Sequence, residues 1–371
     1  MKGTGTRLAL FTSIYVGCST AKRVTDFDAP PGAPDSAAIS QPSLASIAIA
    51  PAALALDRGE QRALAVTGTF DDGSHAAVTT GLTWDSSAAQ IVSIDDGGTA
   101  RGITAGAATI TAHAGALTAS IDVAVILRVF GDDYAHGVAY VAFGGSSNGP
   151  VLDGAEKHGG VASLRFDVPA TNYTGGAFVA ATPAEASSFG VVTFWARASK
   201  LASLDVVGFG NDAASTTIAC EWNAVPLTTT WTRYVVPIPD PSVLANARGL
   251  FHVAEGAGEG AYTLWIDDVQ YEAAPPGLAD SATPAIATET ITRPVGQTFS
   301  ADGASVTYAI AGTNETIATA RRYFTWHSSD GAIATVDQDG LVTAKKAGTA
   351  TITASLGAHA ANGALTFVVT P

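Results

Sequence analysis

Few residues in this chain have types and spacings that could do chemistry. Gly145-Ser146-Ser147-Asn148-Gly149 matches the G-x-S-x-G pattern that presents a nucleophilic serine. That pattern works only as a sharp turn from a strand into a helix. Here it runs into Pro150, and no helical period follows. Gly208-Phe209-Gly210 and the residues to Ala213 echo a dinucleotide-binding loop without its strand–helix–strand setting, so they read as a strand end. No H-E-x-x-H occurs, and His75, His113, His136, His158, His252, His327 and His359 are scattered. Glu221, Glu255 and Glu259 offer carboxylates for an acid–base pair. Glu255 and Glu259, however, flank a glycine-rich loop that is a poor support for fixed separations. Cys220 follows an apolar run and reads as a buried, inert thiol. The chain therefore reads as a non-enzyme.

The elements that would carry a binding site are β-strands. The chain has 371 residues, enough for two to four domains. Its net charge is −14, with no basic block, which argues against nucleic acid as a partner. Hydrophobic residues make up 47% and charged ones 14%, which excludes a disordered chain. Thirty-nine glycines, abundant Ala, Thr, Val and Ser, and scarce Lys- and Leu-rich helical stretches favour an all-β protein with many turns. Two cysteines exclude a disulfide scaffold.

At the N-terminus, Lys2 and Arg7 precede an apolar run, Leu8–Val16, too short for a bilayer but suited to a signal-peptide core. It ends Tyr15-Val16-Gly17-Cys18, which resembles the lipobox of bacterial lipoproteins, with tyrosine where leucine is usual. The resemblance implies a signal at 1–18, lipidation of Cys18 and an exported outer-membrane or cell-surface lipoprotein, held to the membrane through the lipid alone. Residues 19–43, with Pro30, Pro31, Pro34 and Pro42, read as a linker.

The chain repeats itself. Trp326 lies 242 residues after Trp84, and at that offset fourteen of the thirty positions from Thr83 to Ala112 are identical. Shared positions include Trp84/Trp326, Asp95/Asp337, Gly98/Gly340 and the run Ala108–Ala112/Ala350–Ala354. Alternating runs broken by Asp and Gly turns predict a β-sandwich plugged by the tryptophan. The pattern from Gly68 to Ala112 resembles the group 2 bacterial immunoglobulin-like domain, which implies sandwiches at 44–126 and 275–371. The second copy lacks the Asp71-Asp72-Gly73-Ser74 turn.

Between them, residues 127–274 hold four of the six tryptophans. Alternating runs at 162–168, 191–198, 204–210, 232–238 and 262–271 predict an antiparallel jelly roll of roughly eight strands. The ordered segments Val129–Tyr134, Lys157–Phe166, Tyr173–Ala177, Val192–Ser199, Trp231–Ile238 and Leu264–Tyr271 resemble carbohydrate-binding modules of the galactose-binding-like type. The overall expectation is an all-β chain ordered as immunoglobulin-like sandwich, jelly roll, immunoglobulin-like sandwich.

That resemblance implies a polysaccharide partner. Flat aromatic rings stack on a sugar's C–H face, while carboxylates and amides bond its hydroxyl rim. Glu221-Trp222-Asn223 is the leading candidate, although strict alternation puts Glu221 and Asn223 on one face and Trp222 on the other. Tyr173, in a glycine-rich segment, is the second. Trp195 and Trp231 read as core, and Trp265 as either. The family also implies a structural calcium where first and last strands meet, with Asp132, Asp133, Asp267 and Asp268 as ligands. Non-catalytic polysaccharide binding with the sandwiches as spacers is the leading expectation. A structural or adhesive protein with a protein partner, and a polysaccharide-active enzyme, are the alternatives.

Overall fold

A computed structural model describes residues 41–371. The expected signal segment, Cys18 and most of the expected linker lie outside the described residues. The described chain is all-β, with only three short 3₁₀ turns besides its strands.

In the first sandwich, Gly106–Ala114 and Leu117–Phe130 form an antiparallel pair. Ala108, Ile110 and Ala112 point inward, as do Ile121, Val123 and Val125, while the intervening threonines point outward. This is the period-two pattern of a half-buried sheet. The repeat's shared residues now have physical reasons. Gly98 has φ +79°, and a Cβ there would lie 2.7 Å from the Trp84 ring. Gly340 has φ +71°, with the Trp326 ring 3.0 Å away. Both positions need a residue that tolerates positive φ and close approach. Asp95 accepts the Thr99 amide at 2.8 Å, and Asp337 accepts the Leu341 amide at 2.8 Å, so each closes the same turn.

The middle segment forms two facing sheets. One runs Val151–Asp153, Ser163–Val168, Tyr262–Glu272, Val191–Ala198, Thr232–Pro237. The other runs Val138–Ala142, Tyr173–Ala184, Ala247–Gly256, Ala202–Phe209, Cys220–Leu227. Phe130, Phe166, Phe178, Phe194, Phe209, Phe251 and Tyr271 fill the space between them.

The three parts share sheets. Leu117–Phe130 is one strand: its first nine residues pair with Gly106–Ala114, and Leu127–Phe130 pair with Val269–Tyr271 of the jelly roll. The boundary expected at 126/127 therefore falls inside a strand. At the other end, the hairpin of Ser305–Ile310 and Thr313–Thr319 extends the second jelly-roll sheet, with Cys220–Trp222 paired to Ile317–Thr319. The equivalent hairpin of the first copy, Ala65–Phe70 with His75–Ala77, has no strand on its outer edge among the described residues. The difference is apolar surface: Val306, Tyr308, Ile317 and Tyr323 are buried in the same core as the jelly roll. Tyr323 also donates its hydroxyl to the Ile218 carbonyl at 2.9 Å.

Candidate functional site

The outer face of the sheet that runs from Val138–Ala142 to Cys220–Leu227 gathers the candidate binding residues. Cross-strand partners share a face, and one row crosses this sheet through Val141, Ala177, His252, Gly208, Glu221 and Ala318. Gly208 keeps the row flat, because a Cβ there would fall 1.9 Å from the Cys220 carbonyl oxygen. Asn223 lies two residues beyond Glu221 on the same face and is exposed. The alternation read from the sequence is therefore observed.

Trp222 is corrected. It is 7% exposed, points into the core and meets the Tyr234 ring edge-on at 6.1 Å. A ring packed between sheets cannot stack on a ligand. The aromatic groups available on the outer face are Phe143 and Tyr173, both half-buried. Tyr173 is fixed by donating its hydroxyl to the Gly144 carbonyl at 2.5 Å. Phe143 continues the edge strand, its amide donating to the Gly175 carbonyl at 3.0 Å. Its ring centroid lies 6.5 Å from that of His252, which stands two strands away. Two strand spacings are about 10 Å, so the ring leans across the intervening strand. Gly175 and Ala177 leave room for it there. Phe143 gave no signal in the sequence, because a single aromatic before a glycine run looks like any strand end.

His252 was also missed. It is 1% exposed, and neither ring nitrogen has a hydrogen-bond partner. Its Nε2 lies 3.5 Å from Glu221 Oε1. Contact with this imidazole holds the Glu221 carboxyl below the usual range, while partial burial opposes that. At neutral pH Glu221 is thus an ionised acceptor at the surface.

The opposite sheet carries a second aromatic group. Trp195 and Trp231, expected in the core, lie half-buried on its outer face; this too is a correction. His158 stacks on Trp195 at 3.7 Å and meets Trp231 edge-on at 6.1 Å. Trp265 lies under Arg197 at 5.2 Å and donates Nε1–H to Asp153 at 3.0 Å. The protein's own His158 and Arg197 thus cover a face of Trp195 and of Trp265.

The aspartates expected to bind calcium do converge, but on backbone donors. Asp267 is buried and accepts the amides of His158 and Asp268, both at 2.9 Å. Asp268 meets His158 Nδ1 at 2.9 Å, and Asp132 accepts the amides of Val161 and Ala162. Asp133 accepts the Tyr134 amide at 2.8 Å. Among the described residues no three His, Cys, Asp or Glu side chains are placed to hold a metal. Asp132, Asp267 and Asp268 clamp the loop that carries His158 onto Trp195.

Comparison with known proteins bears on the architecture. Residues 43–125 and 301–366 match the family described as bacterial Ig-like domain (group 2). Ice-binding protein 1 of Shewanella frigidimarina is 35% identical over 83 residues, covering 22% of this chain; the chain spans 9% of that protein's length. Among solved structures, a family 30 carbohydrate-binding module of a cellulosomal cellulase of Clostridium thermocellum is 15% identical. It covers 40% of this chain and 97% of its own, with a TM-score of 0.29. A family 11 module of Clostridium thermocellum, in complex with a β-1,3-1,4-mixed-linked tetrasaccharide, is 10% identical. It covers 40% of this chain and 95% of its own, with a TM-score of 0.31. At such TM-scores, function has to be read from the face itself.

Proposed function

We propose that the chain binds polysaccharide, without cleaving it, on the outer face of the jelly-roll sheet that carries Glu221. The carrying observation is that Phe143 and Tyr173 are half-buried aromatics on the face that also presents Glu221 and Asn223. The aromatic rings offer an apolar surface for a sugar's C–H face. The ionised Glu221 accepts from hydroxyls, and the Asn223 amide both donates and accepts. About three strand spacings, roughly 14 Å, separate the Tyr173 strand from the Glu221 strand. That span suits several sugar units rather than one.

In this reading the flanking sandwiches brace the face, since each shares a sheet with the jelly roll. Export and tethering through Cys18 belong to the same reading: incorporation of labelled fatty acid, lost in Cys18→Ser, is the expected result. The binding test is electrophoresis of the full chain through gels containing soluble polysaccharides. Retardation by one glycan class, lost in Phe143→Ala, is expected. A folded chain that migrates unchanged in every glycan refutes the proposal.

A further inference from the structure

We propose that the glycan-binding surface continues past the jelly roll into the cleft at its junction with the second sandwich. That cleft is a subsite for neutral glycan built by both parts. This rests on the polysaccharide reading above and adds to it a location, a second set of residues and a ligand class.

The cleft has a volume of about 610 Å³, within the range of small-molecule sites. Glu221 enters it from the jelly roll; Asp302, Thr319, Arg321, Arg322 and Asp339 enter from the other side. Its floor is continuous with the face already described, because Glu221 pairs with Ala318 across the junction. A ligand lying on Asn223 and Glu221 meets the cleft without leaving the sheet.

Two observations point to a ligand rather than to packing. First, a buried polar atom without a partner, Thr319 Oγ1, lies in the cleft wall, and His252, also without a hydrogen bond, has its Nε2 3.5 Å from Glu221 of the cleft. Such atoms are rare, and each calls for an explanation. Second, three of the charged groups are particular to this copy. At the repeat offset, Arg321, Arg322 and Asp339 correspond to Thr79, Thr80 and Gly97 in the first copy, whereas Asp302 corresponds to Glu60.

The charges also choose the ligand class. Arg321 Nη1 lies 3.4 Å from Asp302, and its Nε–H donates to the Asp339 carbonyl at 2.9 Å. Arg322 Nη1 lies 3.3 Å from Asp339. Both guanidiniums already face carboxylates, and Glu221 has only His252 beside it. The cleft is therefore net negative in a chain of net charge −14. A uronate or sulfate would be repelled, whereas a neutral polyol finds held donors and acceptors.

The test uses the full chain in native gels containing neutral soluble glycans, namely mixed-linkage β-glucan, xyloglucan and galactomannan, or the polyanions alginate and pectate. Arg322→Gln and Asp302→Asn probe the cleft, Phe143→Ala probes the jelly-roll face, and the melting temperature of each reports folding. Retardation by a neutral glycan, weakened about tenfold in a cleft variant that melts like the parent, is expected. Retardation that both cleft variants keep and Phe143→Ala loses overturns the cleft subsite and leaves the polysaccharide reading standing. Preference for the polyanions overturns the ligand class. No retardation by any glycan overturns both.

Discussion

At the scale of single residues, burial decides between rival roles. Trp222 sits beside two polar residues that face solvent, yet it belongs to the core. Trp222→Ala should cost about 3–5 kcal/mol, the range for removing a buried aromatic, read as a lower denaturant midpoint. An unchanged midpoint would return Trp222 to the surface. Glu255 makes a pH prediction. It is buried, accepts the Asp205 amide at 2.7 Å, and burial raises its carboxyl from 4.5 to about 6. For an acid raised on folding, the stabilising contribution is complete below the unfolded value and lost as pH rises through the folded one. Glu255→Gln should therefore melt higher relative to the parent at pH 8 than at pH 4.5, by an amount on the order of 1–2 kcal/mol. An equal difference at both pH values would show that Glu255 ionises freely in the fold.

At the scale of elements, legibility follows range. The repeated turns could be read because they are local: Asp95 and Asp337 bond amides four residues on, and Gly98 and Gly340 lie under their own tryptophans. Gly98→Ala should cost about 2 kcal/mol through positive φ and contact with Trp84, measured by thermal melting. The alternation of Glu221, Trp222 and Asn223 was legible for the same reason. Pairing of Thr313–Thr319 with Cys220–Trp222 was not, because nothing in either segment names its partner some hundred residues away. Phe143 and His252 meet only through the pairing of distant jelly-roll strands, and Arg321 and Glu221 line one cleft only through the junction. The aspartate pairs were legible as a convergence at the ends of the jelly roll. Their role was not, because backbone amides from the loop at 158–162 leave no mark in the sequence. With these carboxylates held by the loop, a chelator should leave the melting temperature unchanged, and a drop of several degrees would show a bound calcium.

At the scale of the molecule, continuity of sheets replaces the picture of modules on a string. A strand shared at Leu127 and a hairpin shared at Ile317 join three sandwiches through backbone hydrogen bonds and, at the second junction, a common core. A fragment limited to 127–274 would lose the first ten residues of one strand and the cover over Trp222. It should lack the cooperative melting of the chain from residue 43 onward, and a sharp, matching transition would contradict the shared architecture. The same continuity fixes the orientation of the binding face relative to both flanks. The measurement closest to the central claim is retardation of the full chain, and of Phe143→Ala, in gels containing neutral soluble glycans. Retardation of the parent that the folded variant loses is the expected result. Equal migration of the two, in every glycan, would contradict a sugar-binding role for this face.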